Sequence, residues 1–177
     1  MGPGLETAQH LVTALLNLAV AVLTGATASR LWLAGDASGW AEVRRQPLRM
    51  VAVASAVVAL VVSVVWLWLE SAAMAEVPVA EAGGATWSML TSTHLGYAAS
   101  IGIAGLAAAT AGALLGGERS ARPALLSLLG LGVFWYTRGT ISHAASDGDF
   151  SVRLLMDWVH LGLISLWVGE VVLSGGV

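Results

Sequence analysis

The sequence predicts an all-α protein, a polytopic transmembrane helix bundle of about five spans with its N-terminus outside. Three observations carry this. Hydrophobic residues make up 57% of the 177 positions against 11% charged, and mean hydropathy is +0.80, too apolar for a surface that water must wet. The apolar residues also come in runs close to the roughly 20 residues that cross a hydrocarbon core about 30 Å thick. Finally, those runs lack the period-two alternation of a membrane barrel. Backbone amides in lipid must be satisfied within each segment, which leaves helices. Residues 1–177 are therefore read as one transmembrane domain with the lipid bilayer as its surroundings.

The first span is expected over residues 8–33 and ends in a turn-rich, Arg-rich stretch, Gly35 to Pro47, whose Asp36, Ser38 and Gly39 break the helix. A second span covers 48–69. Residues 70–93 form an acidic, Ala-rich connection with Pro78, Gly83 and Gly84, too polar at its centre to cross and read as an outer cap, partly helical at the interface. The third span, 94–115, is rich in Gly and Ala, which lets backbones approach where lipid offers no hydrophobic drive. It is expected to be the central helix. A turn over 116–122 leads through Pro123, at a first helical position, into the fourth span, 123–143. A loop with Asp147, Gly148 and Asp149 precedes the fifth span, 152–173.

Arginine placement sets the orientation, because short cytoplasmic loops retain positive charge. Arg30, Arg44, Arg45, Arg49, Arg119 and Arg122 fall on one side of this topology. Glu6, Glu70, Glu76, Glu81, Asp147, Asp149 and Asp157 gather on the other with Arg138 and Arg153. The expected location is the inner (plasma) membrane, with the acidic face outward. The first run is long enough to span and lacks a basic n-region, so it is expected to remain in the protein rather than be cleaved as a signal peptide.

Several functions are excluded or disfavoured. The absence of cysteine removes thiolate metal sites, disulfides and cysteine nucleophiles. A net charge of −3 leaves no basic footprint, so no nucleic-acid partner is expected. No nucleophile elbow, phosphate loop or zinc-protease helix is present, and an enzyme is not expected. A homo-oligomer is compatible with the sequence.

The candidate chemistry lies in the four histidines. In this topology His10 starts the first span, His94 starts the third, His143 ends the fourth and His160 lies early in the fifth, all towards the outer face. Counting from Arg153 at 1.5 Å per residue puts His160 about 10 Å along the helix, below the headgroups. An ionisable residue at that depth is a functional candidate by default. Met156 and His160 are spaced i, i+4, and Trp167, seven residues further on, returns to the same face. Thioether and imidazole together suit copper better than hard cations. Asp157, three residues before His160, is read as a residue that orients the imidazole. The expected metal ligands are His94, His143, His160 and Met156, with His10 a weaker member. Two rival readings remain. In one, two histidines such as His94 and His160 hold the iron of haem b from opposite sides in an electron-carrying cytochrome. In the other, a structural or assembly protein uses its histidines only for interhelical hydrogen bonds.

The run Ser142-His143-Ala144, followed by Asp157 to His160 and then Trp167, Val168 and Gly169, resembles the copper-resistance D family of bacterial membrane proteins. That family's signature is a Gly-His-Ala turn, a short loop, and a helix with His, then Trp seven residues later, then a Gly pair. Earlier spans agree with the family in length and order, but the motif content is concentrated in the last two. Ser142 stands where the family has Gly, and Glu170 where it has the second Gly. Family members commonly have further helices. The resemblance implies copper uptake across the inner membrane, with a small periplasmic copper-binding protein as partner.

Overall fold

The computed structural model describes residues 3–115, 120–142, 148 and 150–176. They form helices α1 (Pro3–Leu33), α2 (Gly39–Met74), α3 (Gly83–Ser92), α4 (His94–Leu115), α5 (Ala121–Thr140) and α6 (Val152–Gly176). A single 3₁₀ turn, Val79–Glu81, precedes α3. Five long helices plus the short α3 agree with the expectation of about five spans. Four of them, α1, α2, α4 and α6, are long and apolar enough to cross a membrane. The fourth expected span is α5, which carries Tyr136, Thr137, Arg138 and Thr140 in its last turns and is less apolar. It nevertheless runs antiparallel to α4. Gly102 abuts Thr137, Gly105 abuts Gly130, and Gly112 abuts Pro123.

The helix boundary after α1 differs from expectation. Pro47 lies inside α2, whose 36 residues begin at Gly39. Ser38 caps this helix, accepting the Ala41 N–H at 3.2 Å, and Ser38 N–H in turn donates to Asp36 at 2.8 Å. The cap starts the helix early, so the proline is carried through rather than ending it. Arg45, one turn into α2, is buried and reaches back to the end of α1. Its guanidinium donates to the carbonyls of Leu33 (3.2 Å) and Asp36 and pairs with Glu42. Carbonyls that a helix end leaves open thereby find a partner away from water.

Inside the spans, hydroxyls close on their own helix. Thr24 donates to Val20 O at 2.7 Å, Ser55 to Val51 O at 2.7 Å, Ser71 to Leu67 O at 2.7 Å and Thr110 to Leu106 O at 2.8 Å. In lipid, this backbone bond spares a polar group the cost of lacking a partner.

The expected central role of the third span passes to α1, which packs against α2, α5 and α6. Its Leu16, Leu23, Ala26 and Thr27 are fully enclosed. Helix α4 instead joins α5, α2 and the cap helix α3. The reason is packing: glycines on α4 and α5 bring those two backbones together as a pair, and α1 fills the space between that pair and the remaining helices. The connection 70–93 is a cap, as expected, with α3 seated on the start of α4. A Cβ at Gly96 would lie 2.0 Å from Met89 O.

Candidate metal centre

Helix α6 is held at two levels. Near its start, Leu154 is buried against Gly139, and Trp158 Nε1 donates to Gly132 O of α5 at 2.8 Å. Near its end, Gly169 meets α1, where an added Cβ would stand 2.1 Å from Ala21 O, and Leu173 is buried. Between these levels the packing is looser, with Gly162 against the Trp135 ring, where an added Cβ would stand 3.4 Å away. Beside it opens a cleft of about 970 Å³ walled by α1, α5 and α6.

His160, Met156 and Asp157 all line this cleft on the α6 side. Their i, i+4 spacing does put thioether and imidazole on one wall, and both side chains are exposed to it. Asp157 approaches Ser142 (Oγ to Oδ2, 3.5 Å), and no hydrogen bond joins it to His160. The Ser142 hydroxyl donates more closely to Gly139 O, at 2.8 Å, so its contact with Asp157 is weak.

The other expected residues lie as follows. His94 opens α4 and is exposed. The antiparallel α4–α5 register puts it at the end of the bundle where α5 finishes. His10 is exposed on α1, two turns before Asn17, which lines the cleft. Helices α1 and α6 run parallel, with Ala21 and Gly25 both against Gly169, so His10 lies near the height of Met156. Trp167 is 68% exposed and stands outside the cleft lining. His143, Asp147 and Asp149 fall outside the described residues. Among those described, no three His, Asp or Glu side chains converge as a metal site.

Sequence reasoning missed three residues of this cleft. Asn17, Trp135 and Arg138 line it from α1 and α5. A signal existed for two of them, since an amide and a guanidinium interrupt otherwise apolar helices. The Arg138 guanidinium stacks 4.8 Å from the Trp66 ring, and its Nη1 is buried without a hydrogen-bond partner. Arg153 and Asp157 line the same wall.

A neutral imidazole and a thioether on one wall can donate to a soft metal ion, and the remaining lining, including Phe134, Ile164 and Val168, is apolar. The sequence matches the family model described as Copper resistance protein D-like, N-terminal domain, over residues 5–152. The chain belongs to that family. Comparison with curated proteins and with solved structures returned no match. This copper resistance D-like chain is thus an integral membrane protein, and its family match takes in α1 to α5. The match ends as α6 begins, so Met156, Asp157, His160 and Trp167 lie beyond it. The earlier spans carry the family likeness more broadly than the motif in the last two spans suggests.

Proposed function

We propose that this membrane copper-resistance protein binds copper in the α1–α5–α6 cleft through His160 and Met156. His94, His143 and His10 would serve as further ligands or entry residues at the same end, and the protein moves the ion across the membrane or holds it there. The observation that carries this reading is the shared wall, where imidazole and thioether face one 970 Å³ cleft in a chain of this family. Thioether and imidazole are neutral ligands, and the soft thioether favours cuprous copper. A small periplasmic copper-binding protein would supply the ion from outside the inner membrane.

The test is metal analysis of detergent-purified protein after loading with cuprous copper under reductant, and separately with cupric copper. The expected result is near-stoichiometric cuprous copper on the wild type, less cupric copper, and loss of both in His160→Ala. Equal copper on wild type and His160→Ala would remove the cleft from consideration. A Soret band in the purified protein would instead assign His160 to haem b, for which the apolar lining of the same cleft is the favourable feature.

A further inference from the structure

A second groove lies at the opposite end of the bundle, about 740 Å³, between the end of α1, the start of α2 and the last third of α6. Leu33, Leu48 and Leu173, all buried, form its apolar floor. Trp32 and Trp40, 87% and 57% exposed, stand at its rim as indoles do where hydrocarbon meets headgroups.

Two charges of opposite sign line this groove without meeting. Glu170 accepts a hydrogen bond from the Ser29 hydroxyl at Oε1 (2.8 Å), and among the described residues its other oxygen has no partner. Arg44 stacks 4.4 Å over the Trp40 ring and, among the described residues, has no hydrogen-bond partner. No ion pair joins the two. The third charge on the wall, Asp36, is already held by the Ser38 N–H. A carboxylate and a guanidinium that line one apolar groove without pairing call for a ligand that brings both counter-charges.

We propose that this groove binds a zwitterionic, amine-bearing phospholipid of the phosphatidylethanolamine class. Its phosphate lies against Arg44 and its ammonium against Glu170, with an acyl chain along the floor at Leu173. Guanidinium suits a phosphate because its planar fork of donors matches the phosphate oxygens. A primary ammonium has the hydrogens that the free Glu170 oxygen lacks. The inference uses no residue of the copper cleft and stands apart from the copper reading.

Native mass spectrometry of the full chain, released from detergent with equal amounts of phosphatidylethanolamine and phosphatidylglycerol of matched acyl chains, tests it. The wild type is expected to retain one phosphatidylethanolamine in preference to phosphatidylglycerol. Glu170→Gln should remove that preference, and Arg44→Gln should weaken retention of both lipids about fivefold, the size of one charge contact at a membrane surface. An unchanged melting temperature in each variant would show that these losses are not unfolding. Equal retention of both lipids by the wild type overturns the proposal, as does wild-type retention of phosphatidylethanolamine by both variants.

Discussion

Helices α4 and α5 approach backbone to backbone, whereas α6 is held closely at two levels and more loosely between, where Gly162 lies against the Trp135 ring. Half of the apolar window of α4 is buried inside the protein, against 11% for α6. Both lie in the same solvent, so hydrophobicity does not separate them. Small residues do. Gly102, Gly105 and Gly112 on α4 face Thr137, Gly130 and Ser127 on α5, and the Ser127 hydroxyl donates to Ala109 O at 2.9 Å. In lipid, close packing and interhelical hydrogen bonds take the place of the hydrophobic effect. Helix α6 has one such approach, Gly169 against Ala21 and Gly25. Elsewhere it meets α5 through side chains, Leu154 at Gly139 and the Trp135 ring at Gly162, and the cleft opens beside them. The tight pair supplies the frame, and the loose helix supplies the site.

The strongest way to break this comparison is to add one methyl group to each interface. A Cβ at Gly130 would sit 2.3 Å from Gly105 O and 2.8 Å from Ala109 N, backbone atoms that cannot swing aside. Gly130→Ala is therefore expected to cost about 3 kcal/mol, the upper part of the range for overpacking, read as a lowered melting temperature in detergent. At Gly169 the clash is as close, at 2.1 Å from Ala21 O, but α6 is free to move outward. Gly169→Ala should cost only about 1 kcal/mol while perturbing copper loading in the cleft. Equal melting temperatures for the two variants would show that α6 is as firmly held as α5.

Ser127→Ala removes a buried interhelical hydrogen bond without changing helix spacing. A loss of about 1 kcal/mol in melting experiments is expected, in line with such bonds in membrane bundles. His160→Ala inverts the pattern. The side chain faces the cleft and has no hydrogen bond among the described residues, so stability should stay within about 0.5 kcal/mol of wild type while copper binding in the cleft is expected to disappear. A large loss of stability there would point to a structural histidine, one of the readings the sequence alone left open.

The smallest effect is expected at the α1–α2 turn, outside both interfaces. Hydrogen bonding from the Ser38 backbone N–H holds the Asp36 carboxyl below its usual pKa, and the Arg45 charge acts in the same direction. A carboxyl depressed in the folded state contributes stability that is present above its unfolded pKa and lost as pH falls through the folded one. The wild type should therefore melt slightly above Asp36→Asn at neutral pH, and the gap should close on acidification below the ordinary carboxylate range. A gap that persists in acid would trace the difference to something other than the charge of Asp36.

Much of the fold was legible in composition, because lipid leaves a chain few options. Apolar runs that long become helices, and the positions of Gly35 and Pro78 between them marked two of the connections closely. The second span was expected to start at residue 48, because the turn residues before it read as a connection. Ser38 caps α2, so Gly39 to Pro47 fall within the helix. The site was legible in part. The i, i+4 spacing of Met156 and His160 is a property of the helix and needed no partner to be known. Asn17, Trp135 and Arg138 come from other helices, and no periodicity along the chain reports which residues of α1 and α5 will face α6.

What the sequence alone determined about this protein is its solvent, its helices, the one-face spacing of Met156 and His160, and its family. These follow from local quantities: hydropathy summed over a span, the 3.6-residue turn, and motif spacing. Tertiary structure decided that α1 rather than α4 lies at the centre, that Asp157 turns towards Ser142, and that the cleft carries two guanidinium groups beside its candidate ligands. It also decided that Arg44 and Glu170 share a groove without pairing. These depend on how closely two backbones approach, which is settled by which small residues meet across the interface.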